Sequence, residues 1–210
     1  CVSGACVYDL KEKKTLYSQA LDPGIVKKLM EFGMEEGAMI HVLSERSIIQ
    51  KDQQSHMADF HMGIYQTMFD QINDKLENIY NSFCEEPFPV LKLNLYHRDE
   101  ASRARTVERI KAAGLETALA LAESTSLECS AKGIDKGVGL KKLCEHLGLP
   151  LEQTIAVGDA DNDTMALKTA GLAVAMGNAT EPIKALADVI VADCDHNGCA
   201  EAIDKYLLAD

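Results

Sequence analysis

The chain has 210 residues, 47% of them hydrophobic, enough for one domain or two modest ones around a buried core. Its formal charge of -12 excludes unassisted binding to nucleic acid or to an anionic membrane, where Lys and Arg must neutralise phosphates. A small phosphate ester stays admissible, because a bound Mg²⁺ and one Lys reverse the sign locally. No apolar stretch reaches the roughly 18 residues of a membrane span. Cys1 to Val7 has no basic region before it and Asp9 and Lys11 follow at once, so no signal peptide is expected, although the chain does not begin with Met. Seven cysteines, an odd number without a Cys-x-x-Cys pair, predict reduced thiols in a cytoplasmic protein.

In chain order, Ala5–Tyr8 and Thr15–Ser18 flank a charged segment and predict a hairpin. Asp22-Pro23 opens a helix through about Gly33, with Asp as cap and Pro in the first turn. Ala38–Leu43 is a short apolar strand. Asp52–Phe83 is mostly helical by spacing, with an apolar stripe at Ile64, Met68, Ile72, Leu76 and Ile79. Pro87 and Pro89 break it, and Val90–Tyr96 alternates at period two, which predicts one buried face. A helix from about Glu100 to Ala113 ends at Gly114, and Thr117–Ala122 is the next strand. Arg98, Arg103, Arg105 and Arg109 alternate with Asp99, Glu100 and Glu108, the pattern of a solvated, salt-bridged face. His56 and His61 are spaced poorly for ligation from one helix face and are expected at the surface or in packing.

The last third changes character. Val138–Leu147 is a helix closed by Gly148, and Thr154–Val157 is a short apolar strand, typical of a parallel sheet covered on both faces. A helix from Thr164 to Ala170, strands at Leu172–Met176 and Val189–Val191, and a helix from Glu201 to Leu208 complete an α/β alternation. Cys194-Asp195-His196-Asn197-Gly198-Cys199 offers too few ligands for zinc and reads as a polar turn with Cys199 buried.

Gly158-Asp159-Ala160-Asp161-Asn162-Asp163 follows a buried strand and precedes a helix, where an open parallel sheet binds ligands. Three carboxylates and an amide in that turn suit a hard cation such as Mg²⁺, and helix capping alone needs one Asp or Asn. Gly158 lets the backbone turn tightly beside an ion. Lys136, just ahead of the helix that leads to this strand, can reach the same sheet edge and neutralise a carboxylate and a phosphate. A solvated loop Lys is the plain alternative.

Gly133-Ile-Asp-Lys-Gly137, Gly158–Asp163 and Ala170-Gly-Leu-Ala-Val-Ala-Met-Gly-Asn-Ala179, continued by Ala187–Ile190 and Gly198, resemble the Cof-type, or type IIB, branch of the haloacid dehalogenase superfamily. The likeness is dense from about 127 to 206; between about 21 and 123 only the strand–helix pattern supports it. P-type ATPases share the acidic signature but need transmembrane helices. The resemblance implies a Rossmannoid parallel-sheet α/β core, made of residues 1–20 and 124–210, with an inserted α/β type IIB cap at 21–123. It implies a Mg²⁺-dependent phosphatase of small phosphorylated metabolites such as sugar phosphates. Lys136 matches the lysine that steadies nucleophile and phosphoryl group, Asp159 the metal ligand, and Asn162 and Asp163 the supporting metal groups. Gly158 and Asn178 line the site, with a simple turn role equally open for Asn178.

One departure is large. The family opens with an Asp-x-Asp-Gly-Thr run whose first Asp attacks phosphorus and whose second is the general acid–base. This chain has no such run, so no nucleophile is assigned, and the core is expected to lack its first strand. The Ile155 strand then has an unpaired apolar edge, to be filled by an oligomer partner or a missing N-terminal segment. The second reading is a catalytically inactive remnant, or a metal- or phosphate-binding protein.

Overall fold

A computed structural model describes residues 1–123 and 125–208. The chain divides into two units, one built from residues 3–17 and 134 onward, the other from residues 18–133.

The first unit begins with β1 (Cys6–Asp9) and β2 (Lys14–Ser18), hydrogen-bonded as the expected hairpin. The second unit follows. Asp22 caps α1 (Pro23–Glu35), its carboxylate accepting from the Gly24 and Ile25 amides at 2.8 and 3.2 Å. Then come β3 (Met39–Leu43), β4 (Ser47–Gln50), α2 (Lys51–Gln54), α3 (Gln66–Ile72), β5 (Asp74–Leu76) and α4 (Ile79–Glu85). β6 (Lys92–Tyr96), α5 (Glu100–Ala112), β7 (Thr117–Ala122) and β8 (Ser126–Ala131) complete it. Its six strands lie in the order β5-β4-β3-β6-β8-β7. One sheet face packs Ile40, Val42, Leu93, Leu95 and Leu127 against Leu29, Phe83 and Ile110 of the helices.

Three expectations change here. The stretch 52–83 is not one helix. His61 takes a left-handed conformation (φ 61°) that ends one turn of 3-10 helix, and Asn73 is extended. The pieces between bury Met57, Phe60, Met62 and Phe69, while Ile64, Met68 and Ile72 of the expected stripe are exposed. β6 is buried on both faces rather than one. Its second face carries Lys92, Asn94 and Tyr96, tolerated inside because their polar groups are paired, apart from Asn94 Oδ1, which is buried without a hydrogen-bond partner among the described residues. Lys92 meets Glu128 at 2.6 Å, Asn94 Nδ2 donates to the Tyr96 hydroxyl at 3.1 Å, and His41 bonds Ser47 at 2.7 Å and Tyr96 at 3.3 Å. Finally, β8 pairs with β6 and β7, which carries this unit to residue 133 rather than 123. The expected restart of the core at Ser124 lies outside the described residues, as do positions 209 and 210.

Three of the four arginines are ion-paired, but their acids come from elsewhere than the interleaved ones, and Arg103 bonds main-chain oxygens instead. Arg105 pairs with Glu36 and Arg109 with Glu35 at the end of α1, and Arg98 with Asp59. His61 is exposed, its ring bonding the Arg98 carbonyl at 3.0 Å.

The first unit resumes with α6 (Lys136–Leu147), β9 (Ile155–Gly158), α7 (Thr164–Thr169), β10 (Leu172–Ala175), α8 (Glu181–Leu186), β11 (Val189–Ile190) and α9 (Gly198–Ala202), which runs on as a π-helical turn to Leu207. Three strands pair in parallel in the order β11-β10-β9, with Val174 opposite both Val157 and Val189. β9 is therefore an edge strand among the described residues. This is why its residues are half-buried and Val157 is 38% exposed, instead of covered on both faces. Leu143, Leu147 and Leu149 of α6 and the turn after it are exposed as well. Gly4, at φ +93°, packs directly on the start of α6: a Cβ there would lie 1.8 Å from the Asp135 carbonyl oxygen.

Candidate active site

The acidic turn leaves the carboxyl end of β9, and the Met176-Gly177-Asn178 turn leaves the carboxyl end of its parallel neighbour β10. Parallel pairing puts both turns at one end of the sheet, the position where ligands bind in open α/β sheets. The Met176 amide donates to the Gly158 carbonyl at 3.0 Å and the Thr180 amide to the Asp159 carbonyl at 3.1 Å. Asn178 Nδ2 then donates to Asp159 Oδ2 at 3.1 Å.

Asp163 organises the turn from within. It is 8% exposed, and its Oδ2 accepts from the amides of Asp159 at 3.0 Å and Ala160 at 3.3 Å. Its Oδ1 faces the Lys136 ammonium at 2.5 Å. Gly158 makes room for this: a Cβ there would lie 2.5 Å from the Asp163 Cβ. Lys136 is the first residue of α6, whose N-cap Asp135 accepts from the Val138 amide at 2.9 Å. A cation at that helix end opposes the helix dipole, and the Asp163 carboxylate offsets the cost. α6 and α7 pack closely at Gly137, where a Cβ would sit 2.5 Å from the Met165 carbonyl oxygen, so the lysine is held against the acidic turn.

All the expected site residues of this unit, Lys136, Gly158, Asp159, Asn162, Asp163 and Asn178, thus belong to one end of one sheet. Their roles differ. Both oxygens of Asp163 are engaged inside the protein. Asp159 is exposed, and among the described residues its Oδ1 accepts no hydrogen bond. Asn162 is half-buried and its side chain makes no hydrogen bond among the described residues. No three His, Cys, Asp or Glu side chains converge as a metal set among the described residues. The donors present fit a Mg²⁺ held the way that ion is usually held, through one or two carboxylates with water and phosphate oxygens completing the shell. Asp159 and Asn162 would face it, and Asp163 would position the turn.

One support was not legible in the sequence. The Cys194 amide donates to Asn178 Oδ1 at 3.0 Å, so the 193–196 turn fixes the amide that orients Asp159. Asp193 caps that turn, and its hydrogen bond from His196 at 2.6 Å draws its carboxyl below the usual range. Cys199 is exposed, contrary to expectation; the buried residue of that turn is Gly198, whose Cβ would meet the Ala192 carbonyl oxygen at 1.9 Å.

These elements make an α/β protein whose three-stranded parallel sheet gathers a lysine and an acidic turn at the carboxyl ends of its strands. The family model for haloacid dehalogenase-like hydrolases matches residues 1–203, and the chain belongs to that family. It is similar to the phosphatase YwpJ of Bacillus subtilis (strain 168), 46% identical over 83 residues that cover 40% of this chain and 29% of that protein. It is 36% identical over 118 residues to the 5-amino-6-(5-phospho-D-ribitylamino)uracil phosphatase YcsE of the same organism, covering 56% of this chain and 47% of that one. Among solved structures, a HAD subclass IIB sugar phosphatase, BT4131, superposes with a TM-score of 0.79 at 21% identity, covering 99% of this chain and 74% of the other. The match spans less than half the length of either curated relative. The fold is that of the haloacid dehalogenase class IIB proteins, a parallel-sheet α/β core with an inserted cap domain.

Proposed function

We infer that the chain carries most of a Mg²⁺-dependent phosphatase of small phosphorylated metabolites such as sugar phosphates. The supporting observation is the Lys136–Asp163 pair at 2.5 Å beside the exposed carboxylate of Asp159. In this reading Lys136 neutralises charge on the phosphoryl group and on the carboxylate that attacks it. Asp163 holds the ammonium and orients the Asp159 amide. Asn178 fixes the rotamer of Asp159, which with Asn162 would hold the cation. Mg²⁺, when bound, supplies Lewis-acid polarisation of the phosphoryl oxygens. Residues 18–133 are read as the type IIB cap that selects the leaving group and excludes water.

The attacking carboxylate is not among these residues. We assign it to a strand that would dock on the free edge of β9, from further sequence or from another chain. The exposed edge of β9 at Val157 favours such a strand. No helix among the described residues is long and apolar enough to cross a membrane, and all seven cysteines are free, which supports a cytoplasmic location for this enzyme.

The test is phosphate release from p-nitrophenyl phosphate and a panel of sugar phosphates, with Mg²⁺ and with EDTA. Mg²⁺-dependent turnover that Asp159→Ala lowers by about 10²-fold or more supports the reading. The absence of the Asp-x-Asp-Gly-Thr run favours a second reading, a non-catalytic remnant that binds metal or phosphate. Its signature is Mg²⁺ or phosphate binding without turnover by the chain, persisting when the full-length gene product is assayed.

A further inference from the structure

β7 is an edge strand of the six-stranded sheet, and its sequence Thr-Ala-Leu-Ala-Leu-Ala carries no charge and no proline. Proteins normally guard such edges with Lys, Pro or bulges, because the outward N–H and C=O groups can template pairing with another strand. Leu121 is 48% exposed at this edge. Beside it lies a groove of about 370 Å³, lined by Leu121 and one stripe of α5: Glu100, Arg103, Val107, Glu108 and Lys111.

The charges of that stripe differ from the rest of α5. Arg105 and Arg109 are ion-paired within the chain, to Glu36 and Glu35. Glu100, Arg103, Glu108 and Lys111 make no ion pair among the described residues, and Arg103 bonds only main-chain oxygens of Glu123 and Ser126. Their order is acid, base, acid, base. Set antiparallel to a copy of itself about a midpoint between Arg105 and Thr106, α5 brings Glu100 opposite Lys111 and Arg103 opposite Glu108, all four contacts being between opposite charges.

The strand obeys the same axis. A two-fold perpendicular to the sheet and passing through Ala120 pairs Ala120 with itself, Leu119 with Leu121 and Ala118 with Ala122, keeping each face continuous across the junction. Thirteen helical residues and six strand residues both span about 20 Å, so the midpoints of α5 and β7 can share one axis. A strand edge and a helix stripe that are self-complementary about one axis describe a symmetric homodimer. We propose that two copies of this chain associate through antiparallel β7–β7 pairing. The two sheets become one of twelve strands, and the two α5 helices lie side by side over it with Leu121 filling the groove.

Sedimentation velocity and light scattering on the wild-type chain are expected to give twice the 22.9 kDa of one copy. Leu121→Lys puts a charge into the junction, and Lys111→Glu sets two acidic groups against each other; each is expected to weaken dimerisation by about tenfold or more. Adding Glu100→Lys to Lys111→Glu restores opposite charges and is expected to restore the dimer. These are exposed positions, and circular dichroism checks that each variant is folded. A monomer at about 100 µM, where even a weak interface associates, overturns the proposal. So does a dimer that neither Leu121→Lys nor Lys111→Glu affects, or one that the second charge reversal does not rescue.

Discussion

Replacing Asp163 by Asn changes almost no volume but removes the charge on which three donors converge. Asn offers one acceptor oxygen. If it faces Lys136, the NH₂ group is turned on the amides of Asp159 and Ala160; if it faces them, the NH₂ group meets the ammonium. Removing one partner of a fully buried pair costs roughly 3–5 kcal/mol. Here the Lys136 side chain is 36% exposed, so water re-solvates part of its charge and the ion-pair share shrinks. Weakening two charge-assisted bonds to main-chain amides adds back about 1 kcal/mol. The expected loss for Asp163→Asn is about 2–3 kcal/mol, a fall in Tm of roughly 5–10 °C for a chain of this length. Urea unfolding at pH 7 reads it, and a cycle with Lys136→Met separates the pair from the amides. The double variant should be about 1 kcal/mol more stable than additivity predicts. A loss below about 0.5 kcal/mol, or an additive cycle, would mean that Asp163 does not hold the lysine and that the site is not preorganised as described.

Two further outcomes follow from burial and close approach. Burial, aided by nearby Lys92, pushes His41 down from its ordinary 6.5 to about 4. The unfolded chain therefore takes up this proton first as pH falls, and stability is lost between about pH 6.5 and 4, by about 3 kcal/mol at most. His41→Gln should flatten that part of the urea-stability profile; an unchanged slope would count against a neutral buried imidazole. Gly4→Ala, at φ +93° with a carbonyl oxygen 1.8 Å from the new Cβ, should displace the residue-3–5 segment from α6 and cost about 2 kcal/mol or more, read by thermal unfolding.

The site was legible where its chemistry is local. Asp159, Asn162 and Asp163 sit in one turn, and Lys136 lies at the start of α6, although the sequence predicts that helix only from Val138 and β9, the strand it predicts as covered on both faces, is half-buried. What could not be read depends on distant partners. Alternation in Lys92–Tyr96 predicts a wet face, and only Glu128 and His41 from neighbouring strands explain why that face is dry. The spacing of Ile64, Met68 and Ile72 mimics a core stripe, yet the left-handed residue at His61 redirects the chain and Phe69 goes inside instead. Cys194 supports Asn178 through a main-chain amide, which has no side-chain signature at all.

The charges of the acidic turn decide what else the proposed chemistry needs. Asp159, Asp161 and Asp163 set three carboxylates against the single ammonium of Lys136. One of these carboxylates is neutralised by contact with the lysine, which leaves the turn anionic where a phosphoryl group would approach. At an effective dielectric of about 20, each unit charge on an approaching phosphate meets each remaining carboxylate with roughly 3–4 kcal/mol of repulsion at 4–5 Å. Lys136 alone cannot offset that while it is bound to Asp163. A divalent cation facing Asp159 would reverse the local sign; Asp159 keeps a free oxygen beside the one Asn178 holds, and the exposed Asp161 makes no side-chain hydrogen bond among the described residues. Phosphate binding by this chain should therefore require the cation first, and phosphate bound equally well in EDTA would break the link between the acidic turn and phosphoryl recognition.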